Sequence, residues 1–381
     1  MTSEQAMLTP AQAAGDPPPS MSLSVILPNY NHGKLVARAL HALATQTPAA
    51  REIIVVDDGS TDNSVEVIEA LQRRYATIRL IRNQTNQGIV ASVKTALEVA
   101  TGEFLLFAGS DDFVLPGLFG RALDALTAYP NAAFFCAGVV LVDGDDRVIG
   151  LRPVTAPQRR PGYLSPADVR RVIRDTDFWA LGTATVYRRR LVAAIGYFDP
   201  RLGSLGDTLA NRLLAFQHGF YFDPTVLAAY NKDPTSFSAR SASSVDDVNN
   251  LLAAARSWMA ENLPADVRDE HGPLFDRRMR FSFARLRVIW RAGSRGTGDI
   301  AEILNFGPLD RAILRAASSI PLGSRFLTLG WIALRRPPFG LKATVEAWWR
   351  ARRFKRVHGA EIEHQIDEVN KLGGIGAPSA R

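Results

Sequence analysis

Between Ser22 and Leu141 five short apolar runs, SLSVILP, EIIVVDD, TIRLI, EFLLFAG and AAFFCAGVVLV, alternate with stretches of helical periodicity. Near-continuous apolar runs of this length are strands covered on both faces, and parallel pairing needs a crossover between consecutive strands. The intervening segments, about 34–45, 63–75, 89–100 and 117–129, have the length and turn-marked ends of such crossover helices. The pattern predicts a Rossmann-like, doubly wound α/β sheet with helices on both faces. In sheets of this kind ligands bind beyond the carboxyl ends of the strands. The polar residues that follow the runs, Asn29–Asn31, Asp57–Asp62 and Ser110–Asp112, are therefore expected to gather along one edge.

Past Asp143 the alternation weakens. A hairpin through 143–147, a helix over about 165–174 opened by Ser-Pro, a strand at ATVY, a helix at RRRLVAAI and a helix over 207–217 follow, and from Val245 onward the chain reads as mainly helical. Three parts are predicted: a disordered tail over 1–20, an α/β domain over 21–240, and a helical basic region over 241–381. The tail has neither the basic n-region nor the apolar h-region of an export signal. No window approaches the ~18 consecutive apolar residues of a spanning helix. Cys136, the only cysteine, stands in an apolar run and reads as a small buried thiol. Together these features point to a cytoplasmic globular protein.

The formal charge of +7 is concentrated at one end. Residues 241–381 hold 22 Lys or Arg against 15 Asp or Glu, and the part before them holds 23 of each. Within that region residues 324–356 carry nine basic residues, with Glu346 as the single acid, interleaved with tryptophan and short apolar stretches. Such a composition suits an interfacial contact with a membrane surface, and it equally suits a helical subdomain that packs its tryptophans and solvates its arginines. No nucleic-acid partner is expected, because the basic residues form no known recognition module and the α/β part has no positive excess.

Three carboxylate sites carry the chemistry. Asp57-Asp58-Gly59-Ser60 ends the second run and can hold a base or ribose, or simply make a turn and a helix cap. Ser110-Asp111-Asp112 ends the fourth; a carboxylate pair there can hold Mg2+ or Mn2+ against substrate phosphates, and Asp112 can alternatively cap a helix. Asp207 opens a predicted helix, as a cap or as a base.

The ordered set SVILPNYNHGKLVARALHALATQ, EIIVVDDGSTDNS, NQGI, TGEFLLFAGSDDFVLPGLF and GYFDPRLGSLGDTLANRLLAFQHGF resembles the family 2 glycosyltransferases over about 22–238. The resemblance implies a GT-A fold and an inverting, metal-dependent transfer of a sugar from a nucleotide-diphosphate sugar to a hydroxyl of a glycan or lipid-linked acceptor, in polysaccharide or glycolipid synthesis. It further implies that Pro28 and Tyr30 contact the nucleotide, that Asp58 reads the base, and that Asp111 lies near the ribose or diphosphate. Asp112 would take the metal, and Asp207 would be the general base. Trp179 and Gly182 fall where relatives form the acceptor pocket, although Trp179 can equally be a core residue. The sequence departs from the pattern at Gly109, where an acid is usual, at Gly206, and at Ser92-Val93-Lys94, where an expected arginine is missing and Lys94 is left as the candidate phosphate contact. A degenerate, nucleotide-sugar or glycan binding protein on the same fold is the alternative that the missing acids raise. A nucleotidyltransferase is disfavoured by the poor phosphate loop PNYNHGK.

Overall fold

The computed structural model describes residues 22–176, 182–197, 199–232, 244–290, 297–320 and 324–372. The four crossovers form as the periodicity requires. Strands β1 (Leu23–Asn29), β2 (Glu52–Asp57), β3 (Ile78–Arg82) and β4 (Phe104–Phe107) alternate with helices α1 (Val36–Ala44), α2 (Ser64–Arg74) and α3 (Ile89–Val99), and α4 (Leu118–Ala128) follows β4. β1 pairs in parallel with both β2 and β4, and β2 with β3. The double-sided burial has a direct residue-level cause. Val25, Leu27, Ile53 and Val55 face one core with α1 and α4, whereas the alternate residues Ile26, Ile54 and Val56 face a second core with Ala96 of α3.

The sheet is mixed, in the order β3-β2-β1-β4-β9-β6-β10-β5, with two further strands, β7 on β6 and β8 on β10. Its later strands are β5 (Phe113–Val114), β6 (Phe134–Val142), β7 (Val148–Arg152), β8 (Gly162–Leu164), β9 (Thr185–Arg188) and β10 (Phe220–Asn231). The fifth apolar run, β6, does not sit beside the fourth. The ATVY strand, β9, inserts antiparallel between them, pairing with β4 and with β6. Nothing in the local pattern of either run reports this insertion, because each is a fully buried strand whatever its neighbours. The predicted hairpin forms as β6–β7. Ser165 caps α5 (Pro166–Val172) through a capping box with Asp168, and α6 (Arg189–Ala194) and α7 (Gly206–His218) complete the α/β part.

The C-terminal helices are α8 (Val245–Asn262), α9 (Ala265–Trp290), α10 (Thr297–Ile303), α11 (Pro308–Ser318), α12 (Ser324–Arg335) and α13 (Leu341–Leu372). The expected division near residue 240 does not separate two cores. Val248, Leu252, Trp258 and Phe275 join one cluster with Phe134, Leu209 and Leu213. Ile362, Ile366 and Val369 of α13 join the cluster that includes Val25, Phe113 and Val148. A buried polar latch fixes α13 in register: Arg38 of α1 binds both oxygens of Asp146 (2.6 and 2.8 Å) and Asn370 (3.1 Å), and Asn370 returns a bond to Asp146 (2.8 Å). Among the described residues no helix is long and apolar enough to cross a membrane.

Candidate active site

The ends of β1 and β2 are bound into one platform. Asn29 is level with Asp57 in the ladder and donates to it (2.9 Å), and Ser60 donates to Asp57 through its backbone (2.9 Å) and its hydroxyl (2.7 Å). Asp57 is thereby occupied as a structural acceptor. Asn31, in a left-handed conformation at φ 55°, accepts from the Thr61 N–H (2.7 Å), and its own N–H donates to Ser60 (2.9 Å). Asp62 accepts from the Gly33 and Ser64 N–H groups (2.9 Å each), so it performs the capping role expected near Asn63. Gly59 allows the turn. Its φ is +72°, and a Cβ there would lie 2.9 Å from the Thr85 carbonyl carbon. Tyr30 stands at the tip of this platform, 42% exposed, above the partly buried Pro28.

Asp58 is buried and holds the loop after β3. One oxygen accepts from Asn83 Nδ2 (2.8 Å) and the Gln87 N–H (2.9 Å), the other from the Gly88 N–H (2.8 Å). Burial alone would raise its pKa, but these three donors outweigh it and hold the carboxyl below its ordinary value. Asp58 is therefore an anion fixed between the end of β2 and the loop after β3. Lys94 is not brought to this group. It is exposed on α3, whose Ser92 and Ala96 are buried, and a two-residue offset on a helix is about half a turn.

The acidic turn after β4 lies two strand spacings from β2, about 10 Å. Asp112 is no helix cap, since α4 starts at Leu118 with Gly117 as its cap. Its carboxyl is buried, one oxygen accepting from Thr183 Oγ1 (2.7 Å) and the other from the Asn231 N–H (2.9 Å). Burial and the neighbouring charge of Asp111 push its pKa up to about 8. Asp111 keeps partial exposure. The absent acid at 109 has a steric account: a Cβ on Gly109 would meet Asp111 Oδ1 at 2.8 Å and Asp112 Oδ2 at 3.1 Å. The two carboxylates fill the space that a side chain at 109 would need. His32 Nδ1 and Ser110 Oγ are 2.7 Å apart, which ties the β1 loop to this turn.

Asp207 lies in the first turn of the helix that follows the 3-10 stretch Pro200–Leu205. It is the second residue of α7, whose formal cap, Leu205, makes no side-chain bond; the carboxyl accepts from the first-turn Thr208 N–H (2.6 Å), so the capping alternative stands beside the catalytic one. Desolvation raises its pKa, and its charge in turn acts on the buried Tyr187 phenol, which burial first and Asp207 second push upward. Tyr187 pairs with Leu105 of β4, and Thr183, which holds Asp112, lies four residues earlier, at most about 13 Å along the chain. Thr183 and Tyr187 thus stand toward opposite ends of one short segment, with Asp112 bonded at the first. Gly182 begins the 3-10 turn that presents Thr183, and a Cβ there would approach the Phe107 carbonyl at 3.3 Å. Trp179 lies outside the described residues.

A parallel nucleotide-fold half, an inserted antiparallel strand and acidic turns gathered on one edge define an α/β domain of the GT-A type. Residues 24–196 match the sequence profile of the family described as Glycosyl transferase family 2, and this part of the chain is a family 2 glycosyltransferase domain. An uncharacterized glycosyltransferase, YibD of Escherichia coli K12, is 42% identical over 97 residues, covering 26% of this chain and 28% of its own length. The chain spans 55% of the length of a second relative, an uncharacterized glycosyltransferase of Nostoc. Among solved structures, S. aureus TarS 1–349 in complex with UDP-GlcNAc superposes with a TM-score of 0.53 at 19% identity, covering 83% of this chain and 92% of that one. The mannosyltransferase PcManGT of Pyrobaculum calidifontis, in complex with GDP-Man and Mn2+, gives a TM-score of 0.50 at 18% identity, covering 88% and 90%. At these identities the structural likeness establishes the fold.

Proposed function

We propose that the chain is an inverting glycosyltransferase that moves a sugar from a nucleotide-diphosphate donor to an acceptor hydroxyl of a growing polysaccharide or lipid-linked glycan. The observation that carries this reading is that Asp58 and the Asp111–Asp112 pair follow the carboxyl ends of β2 and β4, the two parallel neighbours of β1, and so stand on one sheet edge. Donor-complexed relatives of the same fold, with UDP-GlcNAc and with GDP-Man, support a nucleotide-sugar donor.

In this reading the base and ribose lie over the platform of Pro28, Tyr30 and Asp58. The Asp111–Asp112 pair fits a divalent cation. Mg2+ and Mn2+ commonly take one or two protein carboxylates and complete their shell with substrate phosphates and water. Each Asp112 oxygen accepts one protein hydrogen bond, which leaves a lone pair on each. Burial first, and the charge of Asp111 second, push Asp112 up to about 8, a penalty on the ionised pair that a bound cation would relieve. Bound Mg2+ or Mn2+ supplies charge neutralisation for the departing diphosphate.

Asp207 removes the proton from the acceptor hydroxyl as its oxygen attacks the anomeric carbon from the face opposite the diphosphate. The new C–O bond forms as the sugar–phosphate bond breaks, and the pair of electrons leaves with the nucleoside diphosphate. The carboxyl raised by burial is the stronger base for that step. Gly182 and the turn it opens are proposed to border the acceptor. The test is a donor panel scored by thermal stabilisation with Mn2+, followed by product formation for the wild type and Asp207→Asn. A donor that stabilises both proteins and is turned over only by the wild type supports the reading. Equal slow turnover by both favours a binding protein instead.

A further inference from the structure

The basic segment 324–356 divides into an inward and an outward half. Trp331 and Arg335 turn inward onto α11: Trp331 Nε1 donates to Asp310 (3.1 Å), and Arg335 binds both Asp310 oxygens (2.8 and 3.2 Å). Thr328 and Ile332, one turn apart on α12, are buried. The residues that remain outside are of another kind. Phe326 is 81% exposed and Leu334 71%. On α13, Val345 (46% exposed) and Trp349 (62%) are followed by Arg352 and Arg356, at steps of four, three and four that put all of them on one stripe. Arg353 and Lys355 flank that stripe and are exposed, and a recess of about 450 Å3 is lined by Trp349, Arg352, Arg353, Lys355 and Arg356.

We infer that α12 and the first half of α13 form a docking surface for an anionic lipid bilayer. Large side chains exposed to this degree lose hydration cost when they enter the boundary between headgroups and acyl chains. Four cations beside them are complementary to headgroup phosphates, and Glu346 is the only acid in 324–356 to oppose that contact. The ring of Trp349 next to arginines is the amphipathic arrangement that favours the interface. Aliphatic Leu334 and Val345 have no use on a phosphodiester strand, where a stacking platform would present aromatic faces. The contact is interfacial, because none of the described helices is apolar over a membrane's thickness. This inference stands independently of the sugar-transfer reading: it uses no residue of the acidic edge.

The test is flotation of the full chain with vesicles of phosphatidylcholine alone and of phosphatidylcholine mixed with phosphatidylglycerol. The wild type is expected to float with the anionic vesicles at low salt, and to be released as salt rises. The triple reversal Arg352→Glu, Arg353→Glu, Arg356→Glu should weaken that binding more than tenfold, and Trp349→Ser, a change at an exposed position, should weaken it severalfold. Circular dichroism melting of each variant reports whether it is folded. Absence of the folded wild type from the anionic vesicle fraction at low salt would overturn the inference. So would binding that neither variant changes, or a charge-reversal loss seen only for a nucleic acid and not for vesicles.

Discussion

Replacing Asp207 with asparagine should separate chemistry from stability. Burial holds the carboxyl above its ordinary 3.8, so the folded protein binds that proton more tightly than the unfolded chain does. The sign follows: the favourable contribution is complete below the unfolded value and is lost as pH rises through the folded value, and at neutral pH the ionised carboxylate destabilises the fold. Asparagine keeps the oxygen that accepts from the Thr208 N–H and removes the charge. The variant should therefore melt higher than the wild type at neutral pH, and the two curves should converge as pH falls toward the ordinary carboxylate range. Its kcat should fall about 10²–10⁴-fold, the usual contribution of a general base, with donor affinity little changed. The wild-type acidic limb of kcat should lie above the ordinary carboxylate range. Differential scanning calorimetry across pH and a steady-state transfer assay supply both readouts. A variant that keeps more than a tenth of wild-type kcat, or that is less stable at neutral pH, would refute the assignment of a buried basic carboxylate.

Asp58→Asn replaces one carboxylate oxygen with an N–H2 that faces either the Gly88 N–H or the Asn83 and Gln87 donors; losing these charge-assisted bonds should cost about 1.5–3 kcal/mol by urea denaturation and weaken donor-induced stabilisation. Gly109→Asp, which restores the usual family acid, should lower the melting temperature and Mn2+-dependent donor binding, because its Cβ enters space held by Asp111 and Asp112; improved turnover would contradict the steric account. Ile366→Ala opens a cavity in the core shared by α13 and the sheet and should cost about 2–5 kcal/mol, read as a shift of the whole unfolding transition. A transition that splits in two would instead mean that the C-terminal helices unfold as a unit of their own.

The crossover half was legible because burial of a parallel sheet leaves an imprint on every residue. Helices read as 34–45, 63–75, 89–100 and 117–129 occur at 36–44, 64–74, 89–99 and 118–128, since apolar period and turn chemistry act over a few residues. Two of the three acidic positions were likewise visible at strand ends, and Asp207 at a helix start. Their working environments were not. That Asp58 spends its oxygens on Asn83, Gln87 and Gly88 depends on a loop 25 to 30 residues away, and Lys94 could be placed on the outer side of α3 only once Ser92 and Ala96 were seen buried.

By itself the sequence determined the strand–helix rhythm, the ligand-binding edge and the family pattern, because each is written in local periodicity and short spacing. The tertiary structure alone decided that β9 enters between β4 and β6, that Thr183 just before it holds Asp112, and that α13 returns to latch Arg38 and Asp146. Those outcomes are competitions among distant buried surfaces and polar groups, where each candidate segment is apolar enough to fit. Only the assembled packing, with every buried donor and acceptor to satisfy, selects one of them.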